Sequence, residues 1–180
     1  MVRALREARA DGVLREVRQR SDGLAVGRTG THSPRNRSHP ETAMADTIRR
    51  VSYYYTTISD KPGEGARLLE TLRSAGVNLL AFHAFPSARK AQVDFVPSDA
   101  ALLTAAAKGA KIKLSKPKTA FLIDGDDRVG ALANILSRLG AAKINVTAVT
   151  GVCAGMGRYG ALLWVKPGAV NKAASALGAM

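Results

Sequence analysis

Apolar and polar positions follow a fixed order along this chain, and the order occurs twice. Residues 51–58 read Val-Ser-Tyr-Tyr-Tyr-Thr-Thr-Ile, β-branched and aromatic with roughly alternating faces, and stop at Ser59-Asp60-Lys61-Pro62-Gly63. Such a run predicts a strand ending at a helix start. Ala66, Leu68, Leu69 and Leu72 then recur at helical spacing, with Asp60 placed to cap the first amides, Pro62 in the first turn and Gly76 at the end. A strand over 77–85, a turn at 86–90 and a strand over 91–96 follow. Ser98 or Asp99 caps a helix from 100 to about 108, and Lys111-Ile112-Lys113-Leu114 closes the set as a short alternating strand.

The second set predicts a strand at 119–123, a helix at 130–139, strands at 144–152 and 159–165 joined by a hairpin, and a helix at 169–177. Its last strand is missing or very short. The two sets align without a gap at an offset of 67 positions, which matches Asp60 to Asp127, Gly63 to Gly130, Leu68 to Ile135, Leu69 to Leu136, Leu72 to Leu139 and Asn78 to Asn145. A repeat of this length reads as two small domains. The order strand, helix, strand, strand, helix, strand predicts the α+β class: two ferredoxin-like βαββαβ units, each an antiparallel sheet with helices on one face. The expected boundaries are 1–46 for a leader, 47–115 for the first unit and 116–180 for the second.

Composition changes this picture mainly at the start. The formal charge is +13, and in the first 45 residues every Lys/Arg cation is Arg. Residues 21–40 are rich in Ser, Pro, Gly and His, too polar to offset the entropy of ordering, so a largely disordered leader is expected. A short amphipathic helix around Leu5, Val13, Leu14 and Val17 is weakened by Gly12. Met44 is an alternative natural start. The single Cys153 has neither a disulfide partner nor the paired spacing of a zinc site, and a reducing cytoplasm is the simplest compartment. No apolar run reaches the length needed to cross a bilayer, so no membrane partner is expected.

The segments Asp60-Lys61-Pro62-Gly63 and Asp127-Arg128-Val129-Gly130, with Ala75-Gly76-Val77-Asn78-Leu79 and Ala142-Lys143-Ile144-Asn145-Val146, resemble those of tandem ACT-domain proteins, small ligand-sensing modules attached to enzymes of amino-acid metabolism. The resemblance covers residues 48–178. It departs from the family pattern at Gly65, where an apolar residue is usual, at Val129 in place of proline and at Lys143 in place of glycine. It implies sheets placed edge to edge, with an amino acid bound where one copy's strand-to-helix loop meets the other copy's second strand. The residues at such a site are Asp60, Gly63, Glu64 and Asn78 in the first copy and Asp127, Gly130, Ala131 and Asn145 in the second. Helix-start amides near Gly63, Glu64, Gly130 and Ala131 attract a carboxylate, and Asn78 and Asn145 offer both a donor and an acceptor to an amino group. Asp60 and Asp127 either add charge for that ammonium or serve only as caps. The glycines either admit the ligand or serve only the turn, and the asparagines likewise either bind or end a turn.

Other features carry less. The glycine-rich stretch 151–157 lies between two strands, where a flexible hairpin is the simpler reading than a phosphate loop. His83 is expected at a surface or sheet edge, Cys153 as a packing residue, and Tyr53, Tyr54 and Tyr55 in packing rather than base stacking. Lys108, Lys111, Lys113, Lys116 and Lys118 suit edge protection better than a nucleic-acid groove. No credible set of nucleophile, base and orienting group stands out, and no metal or cofactor is expected. The resemblance, together with these residues, implies a non-catalytic regulatory protein binding an amino acid or related small carboxylate, expected as a homo-oligomer acting on a regulated protein partner. The alternatives are a basic nucleic-acid-binding split βαβ protein, with nucleic acid the weaker reading, and a module that only dimerises.

Overall fold

The computed structural model describes residues 46–87 and 89–179. The expectations for the leader, including its disorder, its helix and the start at Met44, lie outside the described residues. The elements run β1 (Thr47–Ser59), α1 (Glu64–Ser74), β2 (Leu79–Ser87), β3 (Lys90–Pro97), α2 (Ala100–Gly109), β4 (Lys118–Asp126), α3 (Ala131–Ala141), β5 (Val146–Gly155), β6 (Arg158–Val165) and α4 (Val170–Leu177), with a 3-10 turn at Pro167–Ala169 before α4. Both copies thus fold as strand, helix, strand, strand, helix.

Helix ends follow from local chemistry. α2 starts where Asp99 Oδ1 accepts from the amides of Ala101 at 2.8 Å and Leu102 at 3.1 Å, which decides between Ser98 and Asp99. α1 and α3 instead start at Gly63 and Gly130, both at positive φ and without a side-chain cap, so Asp60 and Asp127 do not cap them. α1 ends with Gly76 at φ 74°, while Val77 donates back to the Leu72 carbonyl at 3.0 Å. Lys143 takes the matching left-handed conformation at φ 55°, and Ile144 donates to Leu139 at 2.9 Å.

The strands form one antiparallel sheet in the order β2-β3-β1-β4-β6-β5. β1 serves two partners: its first half, from Thr47 to Tyr53, pairs with β4, and its second half, from Tyr54 to Ser59, pairs with β3. The β1·β4 ladder sets Ser52 opposite Thr119, the same position in each copy, so a local two-fold axis relates the copies. In this register the first half of β1 occupies the place of the missing fourth strand of the second copy, and Ile48 packs into that copy's core.

The strand expected at Lys111–Leu114 does not form. Its segment nevertheless runs beside the second half of β1, where Ser115 N donates to Tyr55 O at 2.8 Å and Tyr55 N to Ser115 Oγ at 3.0 Å. Thr56 Oγ1 donates to Lys113 O at 2.9 Å. Ladder bonding is broken because side-chain oxygens take two of these places and Pro117 has no amide proton. Ile112 and Leu114 still pack against the first core.

All four described helices cover one face of the sheet, and each copy has a core there. Leu68, Leu72 and Leu103 pack on Tyr54, Val93 and Phe95, while Ile135, Leu139, Ala173 and Leu177 pack on Phe121, Ile123 and Leu163. Neighbouring strand residues point to the opposite face. There, Val96 and Ala81 of the first copy meet Leu162, Trp164, Ala120 and Leu122 of the second in a third cluster. The Trp164 ring lies 6.1 Å from Tyr53, edge-on, and 5.6 Å from His83 on the outer strand β2. Strands in a flat sheet are about 4.8 Å apart, so strands this distant in order meet only because the sheet folds over on its helix-free face.

Candidate functional site in the cleft between the copies

The two helix mouths lie at opposite ends of the β1·β4 ladder because β1 and β4 are antiparallel. At the first, Asp60 is exposed and Gly63 opens to solvent, with nothing within 4 Å of where a Cβ would stand. Glu64 already occupies the start of α1 as an anion, paired with Arg67 at 2.7 Å. It lines a cleft of about 430 Å³ with Thr57, Lys111 and Lys113.

At the second mouth, Asp127, Gly130 and Ala131 line a cleft of about 280 Å³ with Gly151, Cys153 and Tyr159. Cys153 Sγ donates to Asp127 Oδ2 at 3.0 Å. Each of these clefts is built from one copy alone. Asn78 and Asn145 are exposed and lie beyond the far ends of α1 and α3. Eleven residues of helix, roughly 16 Å of axis, separate each asparagine from its own copy's mouth.

A larger cavity, of about 540 Å³, opens between the folded halves and is walled by both copies. Its size is ordinary for a small-molecule site. The first copy contributes Tyr53, His83, Phe85, Gln92 and Asp94; the second contributes Lys118, Thr147, Trp164, Lys166 and Val170. β-register explains the grouping: Asp94 stands opposite His83 on one side and Tyr55 on the other, and Gln92 stands opposite Phe85.

Asp94 is the buried charged residue of this lining. It is 5% exposed, between fully buried Val93 and Phe95. Gln92 Nε2 donates to its Oδ1 at 2.9 Å. Burial pushes the Asp94 carboxyl above its ordinary value, against the opposing pull of that hydrogen bond and of the His83 and Lys118 charges. Tyr53 is likewise pushed up, by burial first and then by the Asp94 charge. Lys118 is exposed, with its Nζ over the Tyr55 ring at 4.7 Å from the centroid.

A separate polar cluster ties the start of β1 to the second copy. Arg128 holds Asp46 through two bonds of 2.9 Å, one to each carboxylate oxygen. That fork holds the Asp46 carboxyl below its ordinary value, outweighing the effect of burial. Tyr159 is buried beside this carboxylate, its hydroxyl without a hydrogen bond of ordinary geometry. Burial first, then the neighbouring anion, pushes the phenol up to about 12. Gly125 is required here, because a Cβ would collide with the Asp46 carboxylate and stand 2.9 Å from the Tyr159 ring.

Sequence reasoning did not single out Asp94, Gln92, Lys118 or Trp164 as a site, and it placed His83 at a surface or edge. His83 does lie on the outer strand, but half-buried against Trp164. The available signal was a carboxylate inside the run Val93-Asp94-Phe95-Val96. Among the described residues, no group of three His, Cys, Asp or Glu is placed to hold a metal ion, and no helix is long and apolar enough to cross a membrane.

No protein-family model matches the sequence, and no curated protein sequence does so either. Among solved structures, a protein from Bacteroides thetaiotaomicron superposes with a TM-score of 0.62 at 18% identity, over 74% of this chain and 88% of that one. The ligand-free regulatory subunit of aspartate kinase from Thermus thermophilus superposes with a TM-score of 0.52 at 14% identity, over 76% of this chain and 96% of that one. At such identities the likeness concerns fold alone. The chain has an ACT-like α+β fold, the fold it shares with that regulatory subunit.

Proposed function

We propose that this chain is a non-catalytic regulatory protein that senses an amino acid or a related small carboxylate at the interface of its two ACT-like units, residues 47–115 and 116–180. The observation that carries the reading is the cavity of about 540 Å³ walled by both copies. A ligand seated there touches both halves of the folded sheet, so it favours whichever relative position of the halves fits it. The helices on the outside then carry that preference to a second copy or a regulated partner. The shared fold with a regulatory subunit supports the same class. Among the described residues, Cys153 and Asp127 are the one thiol–carboxylate pair in contact, and no third group orients them for catalysis.

A melting series of the full chain against the common amino acids and small carboxylates tests the reading. A ligand at 100 times its dissociation constant raises stability by about 2.7 kcal/mol. The chain's one tryptophan, Trp164, lies in the cavity wall, so binding there also changes its fluorescence. The absence of any shift, together with oligonucleotide binding that weakens steeply between low and moderate salt, would replace a sensor with a nucleic-acid binder.

A further inference from the structure

Asp94 is a buried carboxyl that, among the described residues, no ion pair holds. It lies 5% exposed in the wall of the inter-copy cavity, and among the same residues Gln92 supplies its one side-chain hydrogen bond, at 2.9 Å. The groups facing it are known from every adjoining strand: His83 on β2, Gln92 on its own strand, Tyr53 and Tyr55 on β1, Lys118 on β4 and Trp164 on β6. Lys118 holds its ammonium over the Tyr55 ring and forms no ion pair with the carboxylate, acting on it only at a distance. Burial disfavours the charged form of this carboxyl, and a cation placed against it favours that form. Asp94 lines the cavity, so a cationic group of whatever fills the cavity can reach it.

The rest of the lining sets the remaining chemistry. Lys118 and Lys166 are exposed and repel a simple cation while attracting a carboxylate. Trp164, Phe85 and Val170 supply an apolar wall between. A buried anion within and two cations at the rim match a molecule that is positive at its inner end and negative at its outer end. We propose that the cavity binds a free α-amino acid with an apolar side chain, its ammonium on Asp94, its carboxylate toward Lys118 and Lys166, and its side chain against Trp164. This deepens the sensor reading and rests on it: the amine, and not the carboxylate alone, becomes the feature recognised.

The experiment titrates the full chain with leucine, phenylalanine and tryptophan, each beside its N-acetylated and its deaminated counterpart, by calorimetry. The free amino acids are expected to bind, and both counterparts to bind at least tenfold more weakly. Asp94→Asn is expected to weaken the free amino acid at least tenfold without lowering the melting temperature, and Lys118→Met to weaken it several-fold. Equal binding of the deaminated acids, or an Asp94→Asn variant with native affinity, overturns the assignment of the ammonium and leaves the sensor reading standing. No binding by any of these molecules overturns the assignment; no binding by any amino acid or small carboxylate overturns the sensor reading as well. Should Asp94→Asn fail to fold, Lys118→Met decides, because its side chain is exposed and unchanged affinity there overturns the proposed orientation.

Discussion

Replacing Trp164 by Ala tests whether the sheet is held folded by its helix-free face. Trp164 is 6% exposed and contacts Tyr53 edge-on at 6.1 Å and His83 at 5.6 Å, residues from the other copy. Removing a buried Trp costs about 3–5 kcal/mol, of which about 0.5–1.5 kcal/mol belongs to the edge-on ring pair. Domain stabilities are typically about 5–15 kcal/mol, so the variant keeps a fold but becomes marginal. The melting temperature falls by roughly 10–20 °C for a body of this size. Urea unfolding followed by circular dichroism measures it, since the variant loses the chain's one tryptophan as a probe. Val152→Ala, at a side chain 64% exposed on β5, is the control and changes stability by about 0.5 kcal/mol or less. A loss below about 1 kcal/mol for Trp164→Ala, with an unchanged urea slope, would mean that the halves are not packed through these rings.

Two further predictions concern backbone and charge. Lys143→Gly and Lys111→Gly each stabilise the fold by about 0.5–1 kcal/mol in urea unfolding, because a left-handed L-residue costs about 1–2 kcal/mol and glycine's greater freedom when unfolded returns part of it; both lysines are left-handed, at φ 55° and 57°. A destabilisation would show that the lysine side chains do more than end helices. Asp46→Asn and Asp94→Asn should shift stability in opposite directions at neutral pH. The Asp46 carboxyl is held below its ordinary 3.8, so it contributes stability above pH 3.8 that is lost as pH falls through the lowered value. Asp46→Asn therefore costs about 1.5–3 kcal/mol at neutral pH, and the difference from the native chain closes in acid. The Asp94 carboxyl is raised above 3.8, so its favourable contribution is full below 3.8 and lost as pH rises through the raised value. Asp94→Asn therefore melts higher than the native chain at neutral pH, and that advantage disappears in acid; a neutral-pH loss would mean that the carboxylate is structurally satisfied.

Much of the fold was written in local spacing. The apolar face Leu68-Leu72 and its copy Ile135-Leu139 became the buried sides of α1 and α3, and Gly76 ends α1 as its position predicts. β1 is longer than the alternating run from 51, starting at Thr47, because its early residues are ordered by a partner strand of the other copy. The strand at Lys111–Leu114 has the alternation of a strand, but Pro117 and the Ser115 hydroxyl interrupt its ladder. Asp94 was harder to read. In an antiparallel sheet with helices on one face, the other face is ordinarily solvated, so Gln92 and Asp94 look like polar residues turned to water. Only the folding of the sheet, a tertiary event without a local signal, turns that face into an interior.

The duplication builds the scaffold, whereas the differences between copies give the cavity between them its polarity. Tyr55 pairs with Asp94 in the first copy, and at the same position of the second Leu122 pairs with Leu162, so the counterpart of the buried carboxylate is a leucine. By the same ladders, the counterpart of Gln92 is Gly160, that of His83 is Thr150, and that of Phe85 is Val152. Lys118 corresponds to Val51, and Tyr53 to Ala120. Beside the charged cavity lies a second space of about 280 Å³, walled by Leu122, Thr150, Val152, Gly160 and Leu162 against β2. An exact two-fold scaffold would have two equivalent walls; this one has a charged wall and an apolar wall. Gly63 and Gly130, common to both copies, take the same left-handed conformation at the starts of α1 and α3. Asp94 is not among the shared residues: its counterpart is apolar, and the folded sheet brings Lys118 and Trp164 of the other copy to the same cavity.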